Sequence, residues 1–151
     1  MTGGKRSPLA LWLLAMVLLI SACSTSPEGR SPSGPVSAET AAGFGDVVIP
    51  AGVEVLGTDS DSGIDTRYRL ALRMNAAQLR EFLSQFEQQP RSSEIARTTA
   101  VLAGPQLSDA PDPRYAQDRV TTKAGPTVYR DVIVDERSPD EVYVHLSIFT
   151  T

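Results

Sequence analysis

The clearest pattern in the chain is a strict alternation from Thr66 to Met74. Tyr68, Leu70, Leu72 and Met74 fall on one side, and Arg67, Arg69, Ala71 and Arg73 on the other. Period-two alternation predicts a half-buried strand. A helix is expected directly after it, from Ala76 to about Gln88, because Leu79, Phe82, Leu83 and Phe86 recur at helical spacing and form one apolar stripe. Asn75 is a good N-cap and Gln78 stands where a capping box needs its partner. Met74 and Leu79 take the two places of a hydrophobic staple, and Pro90 ends the element. Farther on, Thr127 to Asp135 and Glu141 to Phe149 read as two strands joined by a turn over Arg137, Ser138, Pro139 and Asp140. In the last strand Val142, Val144, Leu146 and Ile148 share one face; Tyr143, His145, Ser147 and Phe149 share the other.

The stretches between these elements are less regular. Val47 to Leu56 is rich in Val and Ile, but Pro50 and Gly52 interrupt it, which predicts an edge strand or two short strands with a bulge. Gly57 to Gly63 is expected to be a loop. Gln89 to Pro126 is punctuated by Pro105, Pro111 and Pro113, with room for a short second helix over Ser93 to Ala103 that turns Ile95, Val101 and Leu102 inward. The expected order is strand, strand, helix, a long irregular segment, strand, strand. That is an α+β fold: a mostly antiparallel sheet of about four strands with one main helix packed on one face. The expected core is Val53, Val55, Leu70, Leu72, Leu79, Phe82, Leu83, Phe86, Val132, Val134, Val144, Leu146 and Ile148.

Ahead of this domain lies an apolar run from Pro8 to Ala22, with Lys5 and Arg6 before it and Ile20, Ser21, Ala22 and Cys23 at its end. A basic start, a short apolar stretch and small residues make the layout of a secretory signal. Leading straight into the only cysteine, the arrangement resembles the lipobox of bacterial lipoproteins. In that family the cysteine receives a diacylglyceryl group on sulfur, the preceding peptide is removed and the new amine is often acylated. The resemblance covers the first two dozen residues. Two alternatives compete with it. A transmembrane helix needs about 20 apolar residues, more than this run provides, and Ser, Thr, Pro and Gly follow it. An ordinary secretory signal cleaved near Ala22 is the other.

On the lipoprotein reading, residues 1–22 are the signal peptide and Cys23 is the lipidation site. Two or more acyl chains, at about 0.8 kcal/mol per buried methylene, hold a protein on the membrane without any other lipid-binding surface. Ser24 to Gly45, rich in Ser, Gly and Pro, is expected to be a disordered tether. Some 20 such residues span on the order of 25 Å. Residues 46–151 then form a single small domain on the extracytoplasmic face of the cell membrane. With the lipobox, this general layout resembles small lipoproteins of uncharacterised function in high-GC Gram-positive bacteria. A resemblance of pattern alone transfers no functional residues.

Charge narrows the partners. Loss of Lys5 and Arg6 leaves twelve basic residues against eighteen acidic ones, a net charge near −6. Nucleic acid is therefore not an expected partner, since phosphate binding needs a basic excess or stripe. The expected partners are the membrane, through the anchor, and an envelope protein or ligand. No cofactor motif is present. Asp59, Asp61 and Asp65 around Gly63 invite a calcium reading, but the glycine stands one place early for the EF-hand pattern, and Leu70 occupies the position of its bidentate Glu. His145 is the only histidine. With Ser147 and Asp131 nearby it could serve a hydrolase acting on envelope material, although no nucleophile motif supports that. The favoured function is a non-enzymatic binding or accessory domain. Its expected binding face carries Arg67, Arg69, Arg73, Tyr143 and His145, turned away from the helix and roofed in part by the segment from Gln89 to Pro126.

Overall fold

The computed structural model describes Met1 and residues 34–151. The expected signal peptide, Cys23 and the first part of the expected tether lie outside the described residues. Among the described residues no helix is long and apolar enough to cross a membrane.

Six strands form one sheet: β1 (Glu54–Ser62), β2 (Thr66–Met74), β3 (Arg91–Ser92), β4 (Arg114–Thr121), β5 (Thr127–Ser138) and β6 (Glu141–Phe149). Their order across the sheet is β1-β2-β6-β5-β4-β3, and every pairing is antiparallel. The helices are short: α1 (Ala38–Gly43), α2 (Ala76–Leu83) and α3 (Glu94–Arg97). The expected four-stranded sheet under one main helix is thus corrected to six strands and three short helices.

Each difference has a physical cause. Residues 47–53 are not a strand; Val53 N–H closes a turn onto the Pro50 carbonyl, and β1 begins only after it. Val53 and Val55, expected in the core, are half-buried and exposed respectively, because the register shifts between Val55 and Gly57 at the sheet edge. Of the expected loop Gly57 to Gly63, all but Gly63 continues β1. An edge strand needs apolar residues on neither face when its backbone pairs and its charges meet opposite charges, and here Asp59 and Asp61 stand opposite Arg69 and Arg67.

β4 was hidden inside the irregular segment because its inward positions are Ala116, Asp118 and Val120, which carry little apolar signal. The short second helix shrinks from the expected 93–103 to one turn, α3. Part of the segment expected to be a disordered tether, from Gly34 to Gly45, is ordered. Gly34 pairs with Ser60, Ser37 caps α1 through Thr40 N–H, and Ala41 and Ala42 of α1 are buried against the sheet.

The helix start conforms to expectation. Asn75 Oδ1 accepts from the N–H groups of Ala77 and Gln78, each at 2.9 Å, and Gln78 Oε1 accepts from Asn75 N–H at 2.9 Å. Its end does not, for α2 stops at Leu83 rather than near Gln88. The backbone beyond is committed elsewhere: the Gln85 carbonyl accepts from Arg130 at 3.2 Å, and Glu87 N–H donates to Asp118 at 3.2 Å.

Arg130 and Asp118 form an ion pair inside the main core. Their side chains are 4 and 3% exposed, and two hydrogen bonds of 2.6 and 2.8 Å join them. The guanidinium also reaches the Gly45 carbonyl at 3.3 Å and lies 4.5 Å from the Phe86 ring centroid. One pair therefore ties β4 and β5 to the ends of both α1 and α2. Around it Leu70, Leu72, Phe82, Val132, Val144 and Ile148 close the first face of the sheet.

Removing one partner of such a pair strands a buried charge and costs about 3–5 kcal/mol, whereas replacing both by apolar groups costs far less. Arg130→Met and Asp118→Leu should each lower stability by about that amount, and the double variant should recover most of it. Urea midpoints of the four proteins measure this. Single variants that lose less than about 1 kcal/mol would show that the pair is not the tie described.

Candidate functional site

The second face of the sheet is organised in rows of directly paired residues. From the open end inward they run Arg67–Phe149–Tyr129–Arg119, then Arg69–Ser147–Asp131–Gln117, then Ala71–His145–Ile133–Tyr115, then Arg73–Tyr143–Asp135. The first row is a continuous stack. Arg67 lies over Phe149 at 5.0 Å, Phe149 stacks on Tyr129 at 5.6 Å, and Arg119 lies over Tyr129 at 5.7 Å.

The inner rows are covered by residues 93–110, which act as a strap. Ala96 and Leu107 are fully buried and pack with Ile133 in a second small core, flanked by Val101 and Tyr115. Arg97 clips the strap's two ends together by donating to the carbonyls of Ala110 (2.6 Å) and Pro111 (3.2 Å). Arg137 holds its middle through the Gln106 carbonyl at 3.2 Å. The strap reaches across to β1, where Gly57 lets Ala103 approach closely; a Cβ there would stand 3.3 Å from that of Ala103. It turns back at Gly104, whose φ of +93° suits glycine and whose open side faces Tyr143 and Leu56.

Between the strap and the outer rows is a cavity of about 290 Å³. Ile95, Ala100 and Leu102 roof it. Arg67 and Arg69 line one side, Tyr115 and Asp131 the other, and His145 and Ser147 the sheet between them. Asp131 Oδ1 accepts from Tyr115 Oη at 3.1 Å and from Gln117 at 2.7 Å. Burial first, and then the Asp131 carboxylate, push the Tyr115 hydroxyl up to about 12, so it remains a donor. Arg69 is ion-paired with Asp59, while Arg67 makes no ion pair among the described residues.

His145 is 9% exposed, and neither ring nitrogen has a hydrogen-bond partner among the described residues. Burial lowers its pKa, opposed by the nearby Asp135 carboxylate. Asp135 is fully buried under the strap with Oδ2 accepting from Arg137 at 2.8 Å and Oδ1 unpartnered.

The expected binding residues are thus divided. Arg67, Arg69 and His145 line one cavity. Arg73 pairs with Glu54 at 3.4 Å, and Tyr143 lies against Gly104 with its hydroxyl on Glu141 at 2.7 Å; neither lines it. The exposure expected for His145 is corrected to burial, because the strap covers its row. Asp59, Asp61 and Asp65 are not gathered into a calcium-type cluster. Asp59 and Asp61 stand on β1 opposite arginines, and no group of three or more such ligands occurs among the described residues. Sequence reasoning placed the roof in the segment from Gln89 to Pro126 but missed Tyr115 and the rows that the roof covers. A signal existed in Ala71 and Ile133, apolar residues on an otherwise polar face.

No family model, curated protein or solved structure matches this chain. The chemistry of the site rests on its own residues. His145, Ser147 and Asp131 share the cavity, but His145 bonds to neither of the others, and Asp131 is engaged by Tyr115 and Gln117. Coupled nucleophile, base and orienting acid are what a hydrolase requires. The arrangement instead presents charges, a neutral imidazole and an apolar roof, the usual makeup of a small-molecule pocket.

His145 also sets a pH dependence. In the unfolded chain a histidine binds a proton near pH 6.5, and in the folded protein only at lower pH. Below about pH 6.5 the unfolded state therefore takes up a proton that the native state refuses, and stability should fall until the folded pKa is passed. His145→Met should remove that segment of the slope while leaving the carboxylate-dependent loss at lower pH. Urea denaturation between pH 7.5 and 4.5 measures both; identical slopes would mean that His145 titrates as freely as in the unfolded chain.

Proposed function

We propose that this chain is a lipid-anchored, extracytoplasmic binding domain whose ligand site is the cavity between the strap and the second face of the sheet. The observation that carries the reading is His145, a polar side chain nine-tenths buried, unpartnered and lining a cavity that also holds fixed charges of both signs. Buried polar groups are almost always hydrogen-bonded, and leaving one bare costs about 1–3 kcal/mol. Both nitrogens are enclosed, so a ligand that shifts the strap far enough to bond this imidazole would relieve that cost. The anchor rests on the run of Ile20, Ser21, Ala22 and Cys23 after a short apolar stretch. A tether from Cys23 would leave a folded domain free to meet small molecules near the membrane.

The site is tested by fragment binding to the isotope-labelled full chain in detergent micelles. Hits should shift the amide resonances of Arg69, Ser147 and Ile133 and the ring nitrogens of His145. Hits that move only residues of the helix-covered face overturn this assignment.

The anchor is tested separately. Cys23→Ala should release the protein from membranes or block its maturation, and labelling with a palmitate analogue should mark the unmodified chain alone. A wild-type protein that takes up no lipid and partitions into the aqueous phase would exclude the anchor.

A further inference from the structure

The charges lining the cavity specify more than a generic ligand. Arg67 has no carboxylate partner among the described residues, whereas its neighbour Arg69 is neutralised by Asp59. Across β6, Asp131 is held only by neutral donors, the Tyr115 hydroxyl and the Gln117 amide, both on Oδ1. Arg67 has Asp61 opposite it on β1 and lies over the Phe149 ring, but neither it nor Asp131 is in an ion pair among the described residues, so the cavity carries one cation and one anion free to pair with a ligand. Their strands flank β6 and they stand one row apart, so their backbones are separated by about two strand spacings and two residues, about 12 Å. Long side chains bring the charged groups closer than that. Between them lies the ring of His145, whose two nitrogens are themselves enclosed. Above them are Ile95 and Leu102, and Ile95 is 70% exposed at the rim.

We propose that the cavity takes a small zwitterion with an apolar body, the chemistry of an apolar α-amino acid. Its carboxylate faces Arg67, its ammonium faces Asp131, and its side chain lies under Ile95 and Leu102. The inference rests on the binding-domain reading above and deepens it. An anion alone would leave Asp131 facing it across the cavity. A cation alone would meet Arg67. Only a ligand with both charges pairs both groups, through charge-assisted hydrogen bonds to each. The volume agrees: about 290 Å³ lies at the small end of ligand pockets.

The test titrates the full chain in detergent micelles with leucine, N-acetyl-leucine, leucinamide and 3-methylbutanol by calorimetry. These carry both charges, the anion alone, the cation alone and neither. Leucine should bind at least tenfold more tightly than each of the others. Asp131→Asn keeps an oxygen for Tyr115 and Gln117 but removes the anion. It should weaken leucine at least tenfold and leave N-acetyl-leucine unchanged or improved. Arg67→Ala should do the converse, weakening leucine and sparing leucinamide. Thermal melts of both variants near wild type show that folding is intact. Leucine binding no better than a single-charge analogue, or binding indifferent to both substitutions, overturns the zwitterion. If the neutral alcohol or unrelated fragments shift the His145 and Ser147 resonances while leucine does not, the zwitterion fails and the binding cavity stands. If no compound reaches those resonances, both fall.

Discussion

A six-stranded sheet has two faces, and this chain has regular structure enough to close only one. The first face is sealed by α1, α2 and the side chains around Phe82. The central strands β5 and β6 nevertheless bury residues on the second face as well, among them Ile133, Asp135 and His145. That face must be covered, and the cover is a strap with a single helical turn and a 3₁₀ turn in it. Such a strap cannot satisfy its own backbone, so side chains do it: Arg97 serves the carbonyls at its end and Arg137 the one at its middle. It crosses only the inner rows. The cavity is what remains between the strap's edge and the outer rows, and its position follows from where the cover stops.

The two faces treat buried polar groups in opposite ways. On the helix face, Arg130 and Asp118 are fully enclosed and fully bonded, each reaching backbone groups besides its partner. A network of that kind fixes the relative placement of strands and helices and holds few alternatives open. On the strap face, His145 and one oxygen of Asp135 have no partner among the described residues. The same chain thus satisfies a costly ion pair in one layer and leaves neutral nitrogens bare in the other. Local departures from complete satisfaction cluster at functional sites, where a ligand supplies the missing bonds.

Much of this was legible from residue order. The alternation of β2, β5 and β6, the capping box at Asn75 and the inward set from Leu70 to Ile148 are all written in period-two and helical spacing. What escaped is equally specific. β1 is polar because an edge strand can be held by backbone pairing and cross-strand charge, so Thr58 to Ser62 looked like a loop. β4 turns Ala116 and Asp118 inward, and an aspartate in a core position carries no apolar signal until its arginine is known. The α2 terminus was set by that same ion pair, a contact between residues far apart in the chain. At the site, strand alternation placed Arg67, Arg69 and His145 on one face, as they are. It placed a roof over part of that face but could not say that the roof would fall on the row of His145 and set Arg73 and Tyr143 apart from it, since the path of that segment is determined by tertiary contacts.

Those contacts give the site an asymmetry between floor and roof. The floor is strand: Ser147 and His145 sit in the middle of the sheet, paired on both sides, and their positions are fixed to the precision of the ladder. The roof is strap: Ile95, Thr99 and Ala100 are exposed on their outer side, and Ala96 and Leu107 are its fully buried apolar anchors on the sheet. Local opening is easiest where few apolar contacts are buried. On the proposed binding function, the strap is the element that would open to admit a ligand, and the sheet is the element that would orient it. A rigid floor with charges at set positions discriminates by chemistry. A roof of small and aliphatic side chains, Ala100 and Leu102 among them, discriminates by size. Substitutions in the roof should therefore alter which apolar bodies are accepted, while the floor decides which charges a ligand must carry.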